Sequence, residues 1–152
     1  MRIWRAEPAE APTVARLIAE FGKWWGQNVL PAREIQKSVE RIMAGDDGEY
    51  LLGAADGDDA SGVCQLRFRW SVWKSAEDCW LEDLYVREEA RRAGLGRALV
   101  EAGLERARER GCKRIELDVN EDNAAARALY EACGFLSEPK PPGRTLFIGR
   151  PL

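Results

Sequence analysis

Histidine is absent from the 152 residues. Its absence removes the Ser-His-Asp triad, the Cys-His pair, zinc sites that depend on imidazole, and the usual general base at neutral pH. Acid-base chemistry must therefore come from carboxylates, tyrosine, lysine, cysteine or water. Cysteine is sparse: Cys64, Cys79, Cys112 and Cys133 stand singly, with no Cys-x-x-Cys pair, among apolar or small neighbours. Buried free thiols are the expectation, and no metal is expected. No stretch approaches the ~20 apolar residues of a membrane span. The start, Met1 to Phe21, carries Arg2, Arg5, Glu7, Glu10 and Arg16, so it lacks the apolar run of a signal peptide. A cytoplasmic location without a membrane partner is expected. Positive charge is not in excess either, with 23 basic against 26 acidic residues and a net charge of -3. Without a basic stripe to track a phosphate backbone, no nucleic-acid partner is expected.

What is present belongs to an ordinary globular chain, 45% hydrophobic and 32% charged. Its length suits one domain over residues 1–152. Arg2 to Arg5 reads as a short strand. A helix follows from about Glu10 to Phe21, with Val14, Leu17, Ile18 and Phe21 on one face, and the segment Gly22 to Gln27 breaks it. A second amphipathic helix spans about Ala32 to Ala44. Strand-like runs at Glu49 to Ala54, Gly62 to Trp73 and Cys79 to Val86 are separated by turn clusters, including Lys74 to Asp78, and suit an antiparallel meander. The acidic turn Asp56 to Asp59 reads as solvated loop. From Gly94 a helical stripe of Leu95, Leu99, Val100, Leu104 and Ala107 runs to Gly111. A strand over Arg114 to Val119, a helix over about Asn123 to Cys133, a proline-rich stretch and a last strand over Thr145 to Ile148 complete the outline. There are no internal repeats.

The segment Val86 to Arg97 leaves a strand, crosses a basic loop containing glycine and enters a helix. Such a junction is an anion site, because the first N-H groups of a helix lack partners and sit at the positive end of its dipole. Gly94 and Gly96 let the backbone approach a phosphate closely. Two other phosphate motifs fail here: Leu99 replaces the third glycine of a dinucleotide fingerprint, and no Gly-Lys-Ser/Thr occurs.

The run Arg91-Arg92-Ala93-Gly94-Leu95-Gly96 resembles the Arg/Gln-x-x-Gly-x-Gly/Ala signature of the GNAT superfamily of acyl-CoA-dependent N-acyltransferases. Three further segments resemble the family in its order and spacing: Trp80 to Val86, Glu116 to Asn120, and Asn123-x-x-Ala126-x-x-Leu129-Tyr130-x-x-x-Gly134-Phe135. Together they cover about residues 79–135. The resemblance implies an α+β (mixed α/β) fold, with a mostly antiparallel twisted sheet of six to seven strands, about four helices, and splayed parallel fourth and fifth strands. It implies acetyl-CoA as co-substrate in that splay. Backbone N-H groups over Arg91, Arg92, Ala93, Gly94, Leu95, Gly96 and Arg97 would hold its pyrophosphate. Leu84, Tyr85 and Val86 would pair with its pantetheine arm, and Asn123 and Tyr130 would contact it from the other side.

Amine acylation by a thioester needs a neutral amine, a polarised carbonyl and a proton for the departing sulfur. Tyr130 matches the family's acid, with a phenol of pKa comparable to a thiol; the same spacing also suits a core tyrosine on a helix face. Glu82 and Asp83 are the carboxylates beside the expected thioester, acting as a base through water or binding a cationic substrate. Strand alternation points them to opposite faces, so only one reaches the site unless a bulge intervenes, and Glu82 is preferred. Lacking an imidazole partner, the cysteines favour direct attack in a ternary complex over a covalent route.

Trp24, Trp25, Trp70 and Trp73 suit an aromatic wall for an ammonium group, or else core or homodimer contacts. In the family, acceptor sites draw on segments equivalent to Phe21 to Leu30, Trp70 to Trp73 and Pro139 to Phe147. The run Trp80 to Val86 resembles the diamine and polyamine acetyltransferase branch, which implies a small cationic primary amine as acceptor. The competing reading is a non-catalytic acyl-CoA-binding regulatory module.

Overall fold

The computed structural model describes all residues except 56, 58, 137–149 and 152. The elements are β1 (Arg2–Arg5), α1 (Ala11–Trp24), α2 (Ala32–Met43), β2 (Gly48–Ala54), β3 (Gly62–Ser71), β4 (Ala76–Val86), α3 (Leu95–Glu109), β5 (Ile115–Glu116) and α4 (Ala124–Ala132), with short 3-10 turns at Pro8–Glu10 and Glu88–Ala90. The strands form one sheet in the order β1-β2-β3-β4-β5. The first four pair antiparallel, while β4 and β5 run parallel. The α+β class and the parallel fourth and fifth strands hold. Among the described residues the sheet has five strands, and the expected strand Thr145 to Ile148 lies outside them.

Each face of the sheet is apolar because successive residues of β2 and β3 serve opposite sides. Leu52 and Val63 pack with Val14 and Leu17 of α1 and Ile35 and Val39 of α2. Leu51, Cys64 and Leu66 pack with Leu95, Leu99 and Val100 of α3. Burying each such side chain contributes about 1.5–3 kcal/mol. The close seat of α3 depends on Gly62, where a Cβ would lie 2.9 Å from Leu99 Cδ1, and on Gly53, where it would lie 2.8 Å from Leu95 Cδ1.

Several boundaries differ from the sequence pattern. Helix α1 continues past Gly22 to Trp24. One helical glycine costs only about 1 kcal/mol, and the last turn is stabilised by Phe21 packing on Trp24 at 6.2 Å and on Trp25 at 6.0 Å between ring centroids. Strand β4 begins at Ala76 inside the expected turn, since Trp70 pairs with Glu77 and Ser71 with Ala76 up to the hairpin end. Strand β5 is two residues long, because it pairs with β4 only at Cys79–Ile115 and Trp80–Glu116 before the two diverge. Cys64 and Cys79 are buried as expected, whereas Cys112 and Cys133 are only half-buried.

Candidate active site

The divergence of β4 and β5 opens a cleft of about 1290 Å³. One wall is Glu82 to Val86 of β4, the other is Asp118 to Asn120 with Asn123, Leu129 and Tyr130 of α4, and the floor is the start of α3. Phe21 and Trp24 of α1, with Trp25 just beyond it, close one end.

The floor is built for an anion. Gly94 is the N-cap of α3 at φ +84°, a left-handed conformation that costs a side-chain-bearing residue about 1–2 kcal/mol. It offers no capping side chain, so the N-H groups of Leu95, Gly96 and Arg97 open the helix without intrahelical acceptors. Arg92 is also left-handed, at φ +63°. Arg91, Arg92, Gly94, Leu95, Gly96 and Arg97 all line the cleft; Ala93 does not. Leu95 takes part through its backbone, since its side chain is in the core. Arg91 is turned back: its Nε donates to the Val86 carbonyl at 2.8 Å and its guanidinium lies 5.0 Å from the Trp24 ring centroid. Arg97 is held along α3 by Glu101 at 2.8 Å. The backbone is thus the larger part of the cradle, as a diffuse, multiply charged phosphate group requires.

An ion pair missed by the sequence reading fixes this loop against α1. Arg87 donates to both carboxylate oxygens of Glu20, at 2.7 and 2.8 Å, and the hydrogen bond holds the Glu20 carboxyl below its ordinary range. The two residues are 67 positions apart, so no local pattern reveals the pair.

On the wall, a β-bulge brings both candidate carboxylates to the cleft. Gln65 pairs with Asp83 but Leu66 with Leu81, leaving Glu82 as the extra residue of β4. Alternation is broken there, and Glu82 and Asp83 both line the cleft. They are not equivalent. Glu82 is exposed, while Asp83 is half-buried and its carboxyl is pushed up to about 6 by burial, with the charges of Glu82 and Asp118 adding to it. Neither makes an ion pair with a described residue. The sequence preference for Glu82 as base therefore meets an environment that suits Asp83 better.

Tyr130 is half-buried on α4, its ring edge-on to Phe135 at 5.8 Å. Burial first, then the surrounding acidic groups, push its phenol up to about 12. Asn123 caps α4, its Oδ1 accepting from the Ala126 N-H at 3.1 Å. The cap leaves its amide NH2 available to the cleft it lines. Leu84, Tyr85 and Val86 line the opposite wall. Tyr85 also stacks on Phe21 at 5.7 Å.

The four tryptophans do not form one wall. Trp24 and Trp25 line the cleft, 6.0 Å apart between centroids, whereas Trp70 and Trp73 belong to the β3–β4 hairpin end, where Trp73 is 97% exposed. None of the four is a core residue, which corrects the core reading. None of the four cysteines lines this cleft, and burial pushes every one of their thiols up.

A sheet that splays beside a helix-borne anion cradle is the architecture of an acyl-CoA-dependent transferase. Residues 14–135 match the Acetyltransferase (GNAT) family, and the chain belongs to that family. Among its relatives, a thialysine N-epsilon-acetyltransferase of Caenorhabditis elegans is 30% identical over 126 residues, covering 83% of this chain and 75% of that protein. An aminoglycoside N(6')-acetyltransferase type 1 of Stenotrophomonas maltophilia is 29% identical over 134 residues, covering 84% of this chain and 88% of that protein. A crystal structure from Arthrobacter sp. FB24, described no further than as an acetyltransferase, superposes with a TM-score of 0.86 at 32% identity over 100% of this chain and 96% of the other.

Proposed function

We propose that residues 1–152 work as one acetyltransferase unit that moves an acetyl group from acetyl-CoA to the primary amine of a small cationic acceptor. The observation that carries this reading is the cleft in which the α3 cradle, the wall of β4 and two carboxylates without an ion pair to a described residue share one space. Relatives that act on thialysine and on aminoglycosides, both amines by name, support the acceptor class.

Acetyl-CoA supplies the activated thioester. The N-H groups of Leu95, Gly96 and Arg97, with Arg92 beside them, hold its pyrophosphate, and Leu84 to Val86 flank its pantetheine arm. Asp83 takes a proton from the acceptor ammonium, directly or through water, so that the neutral amine attacks the carbonyl carbon. With a carboxyl near 6, Asp83 is ionised at neutral pH yet a stronger base than an ordinary aspartate. The new C-N bond forms as the C-S bond breaks, the second proton of the attacking nitrogen passes to the departing thiolate, and Tyr130 donates a hydrogen bond to that sulfur. Full transfer of its proton is disfavoured: a phenol at about 12 and an ordinary thiol at ~8.5 differ by roughly 5 kcal/mol. Tyr130 is thus a reliable donor that stays protonated. Thiols held protonated by burial, and away from the cleft, favour direct attack over a covalent acyl-cysteine.

The test is thiol release from acetyl-CoA over straight-chain diamines, lysine analogues, amino sugars, amino acids and peptides, with acetyl-CoA binding followed in parallel. Release driven by a cationic amine sustains the proposal. Binding without release by any amine moves the non-catalytic acyl-CoA-binding module ahead.

A further inference from the structure

The turn between β3 and β4 is made of residues that a turn does not call for. Val72, Trp73, Lys74 and Ser75 connect the strands, with the Lys74 N-H donating to the Ser71 carbonyl at 3.2 Å and Ser75 left-handed at φ +49°. Turn positions usually take Gly, Pro, Asn, Asp or Ser for local backbone reasons, and a β-branched residue or a tryptophan brings no such benefit. Neither is buried instead. Val72 is 81% exposed and Trp73 97%, and the adjoining Trp70 is 62% exposed. Three large apolar side chains in water at one projecting point mark a contact surface.

The charges around this point are unbalanced. Each carboxylate of the hairpin end and of the chain entering β5, which adjoins it through the Lys113 N-H donating to the Glu77 carbonyl at 3.0 Å, has a cation of its own. Glu77 pairs with Arg110 at 2.9 Å, Asp78 with Lys74 at 2.6 Å and Glu116 with Arg114 at 2.6 Å. Arg69 and Lys113 are left over, both exposed and both without an ion pair among the described residues. In a chain of net charge -3 the hairpin end is locally positive. Arg69 and Trp70 leave β3 on opposite faces, so basic and apolar groups ring the tip instead of forming one flat side.

Area and charge select the partner. Trp70, Val72 and Trp73 offer about 400–500 Å² of surface between them. A stable contact with a second protein takes about 800 Å² from each side, over a patch of matching shape. A convex tip meets that need poorly. A fluid bilayer closes around it without a matching shape, indole rings settle at headgroup depth, and anionic headgroups attract each nearby cation.

We propose that the β3–β4 hairpin tip docks the protein reversibly on an anionic lipid surface, with Trp70, Val72 and Trp73 at headgroup depth and Arg69 and Lys113 against the phosphates. Strand β4 runs from this end for 11 residues, about 30 Å, before the chain reaches the α3 cradle, so a docked tip leaves the cradle open to solvent. The expectation of no membrane partner concerned a spanning run, which a peripheral tip does not need. The inference is independent of which amine is acetylated.

The experiment floats the protein with vesicles of phosphatidylcholine mixed with phosphatidylglycerol, and with vesicles of phosphatidylcholine alone, at low and high salt. The wild type is expected to float with the anionic vesicles at low salt and to be released by high salt. Binding falls about fivefold in each of Arg69→Gln and Lys113→Gln. It falls about tenfold to a hundredfold in Trp73→Ser. Melting temperatures stay within about 2 °C, because the changed side chains are exposed. A wild type that does not float, equal binding to both kinds of vesicle, or a Trp73→Ser protein that floats as well as the wild type overturns the proposal. So does a particle of twice the chain mass in light scattering that becomes monomeric in Trp73→Ser, which assigns the tip to a second copy of the chain.

Discussion

Asp83→Asn should make the protein more stable and less active, and the two effects should share one pH dependence. The carboxyl stands at about 6 in the folded protein against 3.8 ordinarily. A raised carboxyl binds its proton more tightly in the fold than in the unfolded chain. The fold is therefore least favoured where Asp83 is charged, and stability falls as pH rises from about 4 to about 6, then levels. About two pKa units at ~1.36 kcal/mol each set a ceiling of about 3 kcal/mol, and solvent reaching a half-buried group reduces this to about 1–2 kcal/mol. For a chain of this size that is a rise of about 3–6 °C in melting temperature at about pH 8, shrinking toward zero by about pH 4. Thermal unfolding of both proteins across that range is the assay. The same substitution removes the proposed base, so kcat/KM for the amine should fall about a hundredfold or more, and the wild-type acid limb near pH 6 should vanish. A variant destabilised at pH 8, or an acid limb that survives, refutes the reasoning.

Tyr130→Phe is expected to lower kcat about tenfold to a hundredfold while leaving the KM for acetyl-CoA nearly unchanged, measured by steady-state thiol release, because it deletes a donor used as the sulfur departs. Gly94→Ala forces a side chain into a φ of +84° and should cost about 1–2 kcal/mol by thermal unfolding while raising the acetyl-CoA KM more than it changes kcat. Glu49, 4% exposed, bridges Arg5 at 2.8 Å and Arg106 at 2.9 Å, so Glu49→Gln should lower stability by about 2 kcal/mol, read from the urea midpoint. Glu20→Gln removes the charge that holds Arg87 and should weaken acetyl-CoA binding with less effect on the amine, separable by titration calorimetry.

What the sequence disclosed was what local spacing encodes. The stripe from Leu95 to Ala107, the glycine that opens α3, and the cap and stop of α4 at Asn123 and Gly134 are all short-range signals, and all landed within a residue or two. The length of β5 did not follow from the alternation of Ile115, Leu117 and Val119, because pairing depends on how far β4 stays alongside. That both Glu82 and Asp83 reach the cleft turned on a bulge opposite Gln65 and Leu66, a register between distant strands that neither segment shows alone. The Glu20–Arg87 pair had no local signal at all.

Direct transfer from acetyl-CoA to an amine held beside Asp83 and Tyr130 would leave the protein unacylated between the two substrates. Its most direct measurement is the intact mass of the protein, with thiol release followed alongside, first with acetyl-CoA alone and then after adding a diamine. Direct transfer predicts unmodified protein and no thiol in the first stage, and acetylated amine with equal thiol in the second. Stoichiometric acetyl-enzyme before the amine arrives, or no release after it, would contradict it.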